Sequence, residues 1–320
     1  MKNYVQVIPY LVNEEMDQID NEIPKGIKLI QAPEIWQVTK GKGVTVAILD
    51  TGCDINHPDL MERVVGGKNF TDDDSDNPAI YMDYAGHGTH VAGTIAATLN
   101  NEGVTGVAPE ANLLIVKVLN KKGFGQYDWI IDGINFAIEQ KVDIISMSLG
   151  GPTDHPKLYE AIKSAVNENI LVVCAAGNEG DGNFSTDEFA YPGSYNEVIS
   201  VGAIDLNRHS SDFTNSNNEL DLVAPGEKIL STYLGGKYAT LSGTSMAAPH
   251  ASGALALIKI EANNYFDREL SEPELYAQLI KRTVPLGLSP KLEGNGLLYL
   301  TAPSYLAELF TQLKTSLTDY

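Results

Sequence analysis

Val44-Thr45-Val46-Ala47-Ile48-Leu49-Asp50-Thr51-Gly52 is an apolar run rich in β-branched residues that stops on a carboxylate and a glycine turn. It lacks the alternation of a half-exposed strand, so it reads as a strand buried on both faces. Similar runs recur at 112–119, 142–147, 170–175 and 198–204. Helix-like stretches fall near 90–99, 128–141, 157–167, 245–262 and 272–283. Strands alternating with helices predict an α/β fold of three layers, with a mainly parallel central sheet covered by helices on both faces. In such sheets, sites form beyond the carboxyl ends of the strands. Asp50 stands at one such end.

The 320 residues are 43% hydrophobic and 20% charged, a globular composition. No apolar run reaches the roughly 18–20 residues that span a bilayer. The opening MKNYVQVIPYLVNEEMDQ has no apolar core of secretory type. Two cysteines, Cys53 and Cys174, make no disulfide framework. Both features point to a reduced, cytoplasmic setting. The net charge of −20 repels phosphate backbones and anionic lipid, which argues against nucleic-acid and membrane partners. The acidic cluster Asp72, Asp73, Asp74 and Asp76 reads as a solvated loop more readily than as a cation site.

Two further segments carry unusual polar residues. His87 lies in Gly86-His87-Gly88-Thr89-His90-Val91-Ala92-Gly93-Thr94, where small residues allow a helix start to pack closely. Ser245 lies in Ser242-Gly243-Thr244-Ser245-Met246-Ala247-Ala248-Pro249-His250, at the mouth of an Ala/Gly-rich helix. A serine hydroxyl is a weak nucleophile until a base removes its proton, and that base must be held in the right tautomer. Asp50, His87 and Ser245 supply the orienting acid, the base and the nucleophile, in one of the known orders for such triads. His87 and His90 lack the spacing and glutamate of a zinc peptidase helix. Ser245 is not in a G-x-S-x-G elbow. The cysteines read as small buried apolar residues.

The phrases AILDTG, GHGTHVAGT and SGTSMAAPH resemble the signature phrases of the subtilisins, in the same order. The similarity runs from about Asn21 to Leu300, nearly the whole chain. It implies the subtilisin-like three-layer fold and serine endopeptidase activity on polypeptide substrates, with the roles given above for Asp50, His87 and Ser245. Asn178, in Ala175-Ala176-Gly177-Asn178-Glu179-Gly180, is then the side-chain donor to the oxyanion of a tetrahedral intermediate, beside the Ser245 N–H. By the same resemblance, Gly123-Phe124-Gly125 and Ser148-Leu149-Gly150 sandwich an extended peptide as an added strand. Tyr127, Ile130 and Leu149 line an outer apolar pocket. Ala175, Gly177 and Ala190 line the pocket for the residue before the cut, with Glu179 at its rim. Main-chain pairing implies broad specificity.

Subtilisins carry structural calcium, and the resemblance extends to its ligands. Asp59, the loop residues Thr98, Asn100, Glu102 and Val104, and Asn21 or Glu22 resemble the stronger site. Glu219 and Asp221, with carbonyls near Gly193, Tyr195 and Val198, resemble a weaker site for Na⁺ or Ca²⁺. Oxygen ligands of this kind suit Ca²⁺.

The ends set the domain plan: an extension over 1–20, a peptidase domain over 21–301, and a C-terminal extension over 302–320. The short leader resembles that of the intracellular subtilisins, with Val7-Ile8-Pro9-Tyr10 as its motif. An extended segment lying in its own cleft would inhibit, because Pro9 lacks an N–H, breaks the pairing and bends the chain away from Ser245. At the other end, Leu306, Leu309, Phe310, Leu313 and Leu317 form a helical stripe. That stripe covers the protein's own core or builds a homodimer, the assembly the intracellular relatives imply. The competing reading is a catalytically silent peptide-binding protein on the same fold.

Overall fold

The computed structural model describes residues 4–304, so the C-terminal stripe from Leu306 lies outside the described residues. In chain order the strands are β1 (Tyr4–Val7), β2 (Leu11–Met16), β3 (Thr45–Asp50), β4 (Val64–Asn69), β5 (Asn112–Lys117), β6 (Phe124–Gln126), β7 (Ile144–Met147), β8 (Leu149–Gly150), β9 (Leu171–Ala175), β10 (Ile199–Ile204), β11 (Leu222–Pro225), β12 (Ile229–Tyr233), β13 (Lys237–Ser242), β14 (Thr283–Val284) and β15 (Leu297–Leu298). Nine form the central sheet in the order β14-β15-β11-β10-β9-β7-β3-β5-β4, parallel except where β14 meets β15.

Strand periodicity divides the core. Val46 and Ile48 face one side with Leu113, Ile115, Val173 and Ala175. Ala47 and Leu49 face the other with Leu114, Val116, Val172 and Cys174. The first face packs on the helices His87–Ala96 and Thr244–Phe266, the second on Tyr127–Glu139 and Pro156–Asn167. β3 has β5 on one side and β7 on the other. The chain therefore leaves β3 toward one edge and later returns past it, which makes the end of β3 a switch point where a crevice opens. Asp50 is the last residue of β3.

The five strands read from sequence are all present. The helix expected near 90–99 starts instead at His87, because Gly86 turns the chain with φ 90°. β4 escapes the sequence pattern because two glycines interrupt it. The helix Thr244–Phe266 is buried from Thr244 through Ile258, which explains its lack of an amphipathic face. Ser252 Oγ donates to Ser146 Oγ on β7 at 2.8 Å, tying this helix to the sheet.

Two histidines in this core stay neutral. His90 places Nε2 against the carbonyls of Ile229 (2.9 Å) and Ala239 (3.2 Å). His250 places Nδ1 against Met246 O at 2.8 Å. Burial pushes their pKa values down from 6.5, to about 3 and about 4 respectively. The unfolded chain takes up protons that the folded chain refuses, so this stability is present above pH 6.5 and lost as pH falls. Each histidine contributes a slope of up to about 1.4 kcal/mol per pH unit. We expect the urea midpoint of a Ser245→Ala chain, which cannot digest itself through Ser245, to fall steadily between pH 7 and 5. A flat midpoint would contradict the burial of both rings.

Candidate active site

Asp50 is buried at the end of β3, and its Oδ1 accepts from Thr51 N at 2.7 Å and from His87 Nδ1 at 2.8 Å. A carboxylate on Nδ1 holds the proton there and leaves Nε2 with its lone pair free. Buried His87 Nε2 makes no hydrogen bond. The close approach depends on Gly88, where a Cβ would stand 2.1 Å from the Gly52 carbonyl and 3.2 Å from Asp50 Cβ.

Ser245 is the second residue of its helix. Its hydroxyl donates to Ser148 O at 3.2 Å rather than to His87. The reverse contact also exists, with Ser148 Oγ donating to Ser245 O at 3.0 Å. Pro249, four residues on, has no N–H to offer that carbonyl, which leaves it free for Ser148. The proline inside the helix thus helps pin the serine against the strand end.

Asn178 follows β9. Its Oδ1 accepts from Thr244 N (2.9 Å) and Thr244 Oγ1 (2.8 Å), which fixes the amide so that Nδ2 faces the cleft. Nδ2 donates to the backbone carbonyl of Pro9 at 2.6 Å. Gly243 completes the corner: a Cβ there would lie 2.9 Å from Asn178 Nδ2, 3.4 Å from Tyr10 Cβ and 3.8 Å from Ser245 N.

The chain's own leader fills the cleft. β1 is antiparallel to β6, with Val5 opposite Gly125, and to β8, with Gln6 opposite Gly150 and Val7 opposite Leu149. Val7 N also donates to Gly123 O at 2.8 Å. Val5 packs in one buried cluster with Tyr127, Ile130 and Leu149. Ile8 is buried beside Gly150 and Ala190 and shares a cluster with Ala175. Pairing lapses over Ile8, Pro9 and Tyr10, and the chain resumes as β2, antiparallel to β13. Tyr10 lies over the His87 ring with centroids 4.9 Å apart. Burial, and then the neighbouring Tyr233, Asp50 and Asp83, push its hydroxyl pKa upward. The side chain in the pocket is that of Ile8, but the carbonyl on Asn178 is that of Pro9.

Gly177 stands behind this pocket, its Cα hydrogen face against Asn215 and Glu179. Glu179 is tied down by Asn215, which accepts from Glu179 N at 2.7 Å and donates to Glu179 Oε2 at 2.9 Å.

The sequence pattern of the Subtilase family matches residues 41–301. The chain belongs to the subtilase family. It is 69% identical over 310 residues to the "Intracellular serine protease" of Paenibacillus polymyxa, covering 97% of this chain and 95% of that one. It is 61% identical over 310 residues to the "Major intracellular serine protease" of Bacillus subtilis (strain 168), covering 96% and 97%. To "Subtilisin E" of the same organism it is 47% identical over 255 residues, 78% of this chain and 65% of that one.

In this subtilase the residues of the two expected cation sites are bonded to one another and to their neighbours. Asp59 accepts from Asn100 Nδ2 (3.1 Å) and Val104 N (3.0 Å), and the Tyr238 hydroxyl bonds the same carboxylate. Asn100 Oδ1 accepts from Glu102 N at 3.0 Å. Thr98 N donates to Asp59 O, and Asn21 borders the same hollow with Glu102. At the second position Asp221 accepts from Tyr276 OH (2.6 Å) and Ser200 N (2.7 Å), and burial lifts its pKa to about 6. The Tyr195 carbonyl accepts from Val198 N, Gly193 packs on the Ala175 carbonyl, and Glu219 N turns onto Asn217. Among the described residues no cluster of three His, Cys, Asp or Glu could hold a metal.

Sequence reasoning missed several buried charges, among them Lys117, Asp83 and Asp73, the last of which it places in a solvated loop. Lys117 Nζ donates to Thr51 O (2.6 Å) and Leu119 O (3.1 Å) and pairs with Asp73 at 3.1 Å. A lysine inside an otherwise apolar strand was the available signal. Asp83, four residues before His87, has no such signal. Cys53 and Cys174 are free and buried, with thiol pKa values raised by that burial. We expect Gly88→Ala to cost about 1–3 kcal/mol of stability through overpacking against Gly52 and Asp50. Urea unfolding checks this, and an unchanged midpoint would contradict the close packing.

Proposed function

We propose that this subtilase is an intracellular serine endopeptidase of broad specificity, made with a leader that blocks its own cleft. The observation that carries this reading is the Pro9 carbonyl, held 2.6 Å from Asn178 Nδ2 at the corner that Ser245 N shares. A peptide already lies where a peptide must lie to be cut. The names of the relatives from Paenibacillus polymyxa and Bacillus subtilis support the intracellular serine protease reading.

In the reaction, rotation of the Ser245 side chain brings its hydroxyl from Ser148 O to His87 Nε2. Such contacts are commonly loose before substrate binds. Ser245 Oγ attacks the carbonyl carbon while Nε2 takes its proton. Asp50 keeps the proton on Nδ1 and stabilises the imidazolium. Asn178 Nδ2 and Ser245 N donate to the oxyanion. The imidazolium then protonates the leaving amine, and an acyl-enzyme forms on Ser245. Water, deprotonated by the same imidazole, releases the acid and restores the serine.

Residues 1–20 act as the inhibitory extension, residues 21–301 as the peptidase domain. In a substrate, one residue supplies both the side chain in the pocket and the carbonyl of the bond that breaks. Here Ile8 supplies the first and Pro9 the second, a slip of one residue. Pro9 has no N–H to continue the pairing, and Tyr10 covers the imidazole. The leader therefore binds like a substrate but presents its bonds out of phase.

Residues 302–320 are assigned to self-association as a homodimer. The support for this is the helical spacing of Leu306, Leu309, Phe310, Leu313 and Leu317 in the sequence.

Casein hydrolysis by the full chain, a chain lacking residues 1–18, Pro9→Ala and Ser245→Ala tests the reading. We expect truncation to raise the initial rate, Pro9→Ala to be cut sooner within its leader, and Ser245→Ala to be inert. Equal rates for full and truncated chains would remove the inhibitory role. Hydrolysis by Ser245→Ala would remove the peptidase assignment. Light scattering should give a dimer for the full chain and a monomer for one ending at Leu300, and equal masses per assembly would refute the C-terminal role.

A further inference from the structure

We propose that Asp83 is a positioning residue for the peptidase reaction, the brace that fixes the strand end carrying Asp50 relative to the helix start carrying His87. The proposal rests on the peptidase reading and adds a residue outside the triad and the oxyanion corner.

Asp83 is 3% exposed, and no ion pair to it is found among the described residues. Five donors converge on its carboxylate instead. Oδ1 accepts from Thr51 Oγ1 (2.9 Å), Ala85 N (2.8 Å) and Gly86 N (3.0 Å). Oδ2 accepts from Thr89 N (3.0 Å) and Thr89 Oγ1 (2.8 Å). These donors sit on both sides of the triad pair. Thr51 follows Asp50 directly, while Gly86 and Thr89 flank His87. Thr51 closes the circuit, because its Oγ1 also accepts from Gly88 N at 2.9 Å. Asp83 is anchored in turn to the continuation of β3, its own N–H donating to Cys53 O at 3.2 Å.

The chemistry calls for a carboxylate. An ionised carboxylate only accepts, with about four lone-pair sites, whereas an amide replaces one oxygen by a donor. Placed toward Oδ2, that NH₂ would face Thr89 N. Placed toward Oδ1, it would face Ala85 N and Gly86 N. The backbone N–H groups of Thr89, Ala85 and Gly86 can only donate, so either placement leaves at least one of them facing a donor. Asp83→Asn therefore loosens both segments at once while leaving volume unchanged. The triad pair depends on a 2.8 Å contact between those segments. A misplacement of about 1 Å in such an array costs on the order of a hundredfold in rate.

The test uses the full chain, incubated until its activity is constant, with working sites counted by a fluorophosphonate. Asp83→Asn should lower kcat per labelled site about tenfold to a hundredfold, with KM for a peptide substrate within about twofold of the parent. Thr51→Val should do the same, and Thr51→Ser should recover most of the loss. Asp83→Asn combined with Thr51→Val should be no slower than the worse single variant. A purely structural role gives fewer labelled sites with unchanged kcat per site, and that result overturns the proposal, as does a multiplicative double variant. If Asp83→Asn does not fold, Thr51→Val carries the same expectation alone. Parent protein that takes up no fluorophosphonate removes the peptidase reading itself, a distinct outcome from a normal kcat in Asp83→Asn.

Discussion

The buried contact between Asp50 and His87 is the constraint on which the rest of the site depends. A carboxylate taken out of water is costly unless its lone pairs are met. Here Oδ1 is met by the backbone N–H of Thr51 and by the imidazole, which a parallel sheet brings together at its switch point, while the buried Oδ2 has no hydrogen bond among the described residues. The surrounding architecture follows from that demand. Glycine is required at 88 because the helix must approach the Gly52 carbonyl closer than any side chain permits. Lys117, fully buried and opposite Asp50 in the sheet, pairs with Asp73 and binds the Thr51 carbonyl. The neutral His90 and His250 pack behind the same two helices.

The leader lies in the cleft as an added strand. Backbone pairing on β6 and β8 gives it affinity, and Val5 and Ile8 bury apolar surface in two pockets. Nothing in those contacts distinguishes it from a peptide to be cut. The distinction lies at Pro9, where the missing N–H ends the ladder and the carbonyl on Asn178 comes one residue late. β2 then ties the outgoing chain to β13, so the leader is held on both sides of the serine.

Much of this was legible in sequence because the fold places chemistry at the ends of apolar runs. Asp50, His87, Ser245 and Asn178 stood out as polar residues at strand and helix boundaries, and the structure gathers all four around Pro9 and Tyr10. The pairing of Gly125, Leu149 and Gly150 with an extended segment was implied by the resemblance to the subtilisins, and β1 takes that place. What failed to show was whatever depends on orientation. Asn100 and Tyr238 turn donors toward Asp59, which no spacing reveals. Asp83 was invisible for a related reason: its five partners are mostly backbone N–H groups, which carry no residue identity. The slip between Ile8 and Pro9 is one of register, and register is set by tertiary pairing.

The most direct measurement is the mass of the processed chain after brief mixing with an activated acyl ester at mildly acidic pH, followed by location of the adduct. The account expects one acyl group per molecule, carried on Ser245 and nearly absent from a His87→Ala chain. Acylation at another residue, or acylation of Ser245 at an unchanged rate without the imidazole, would contradict it.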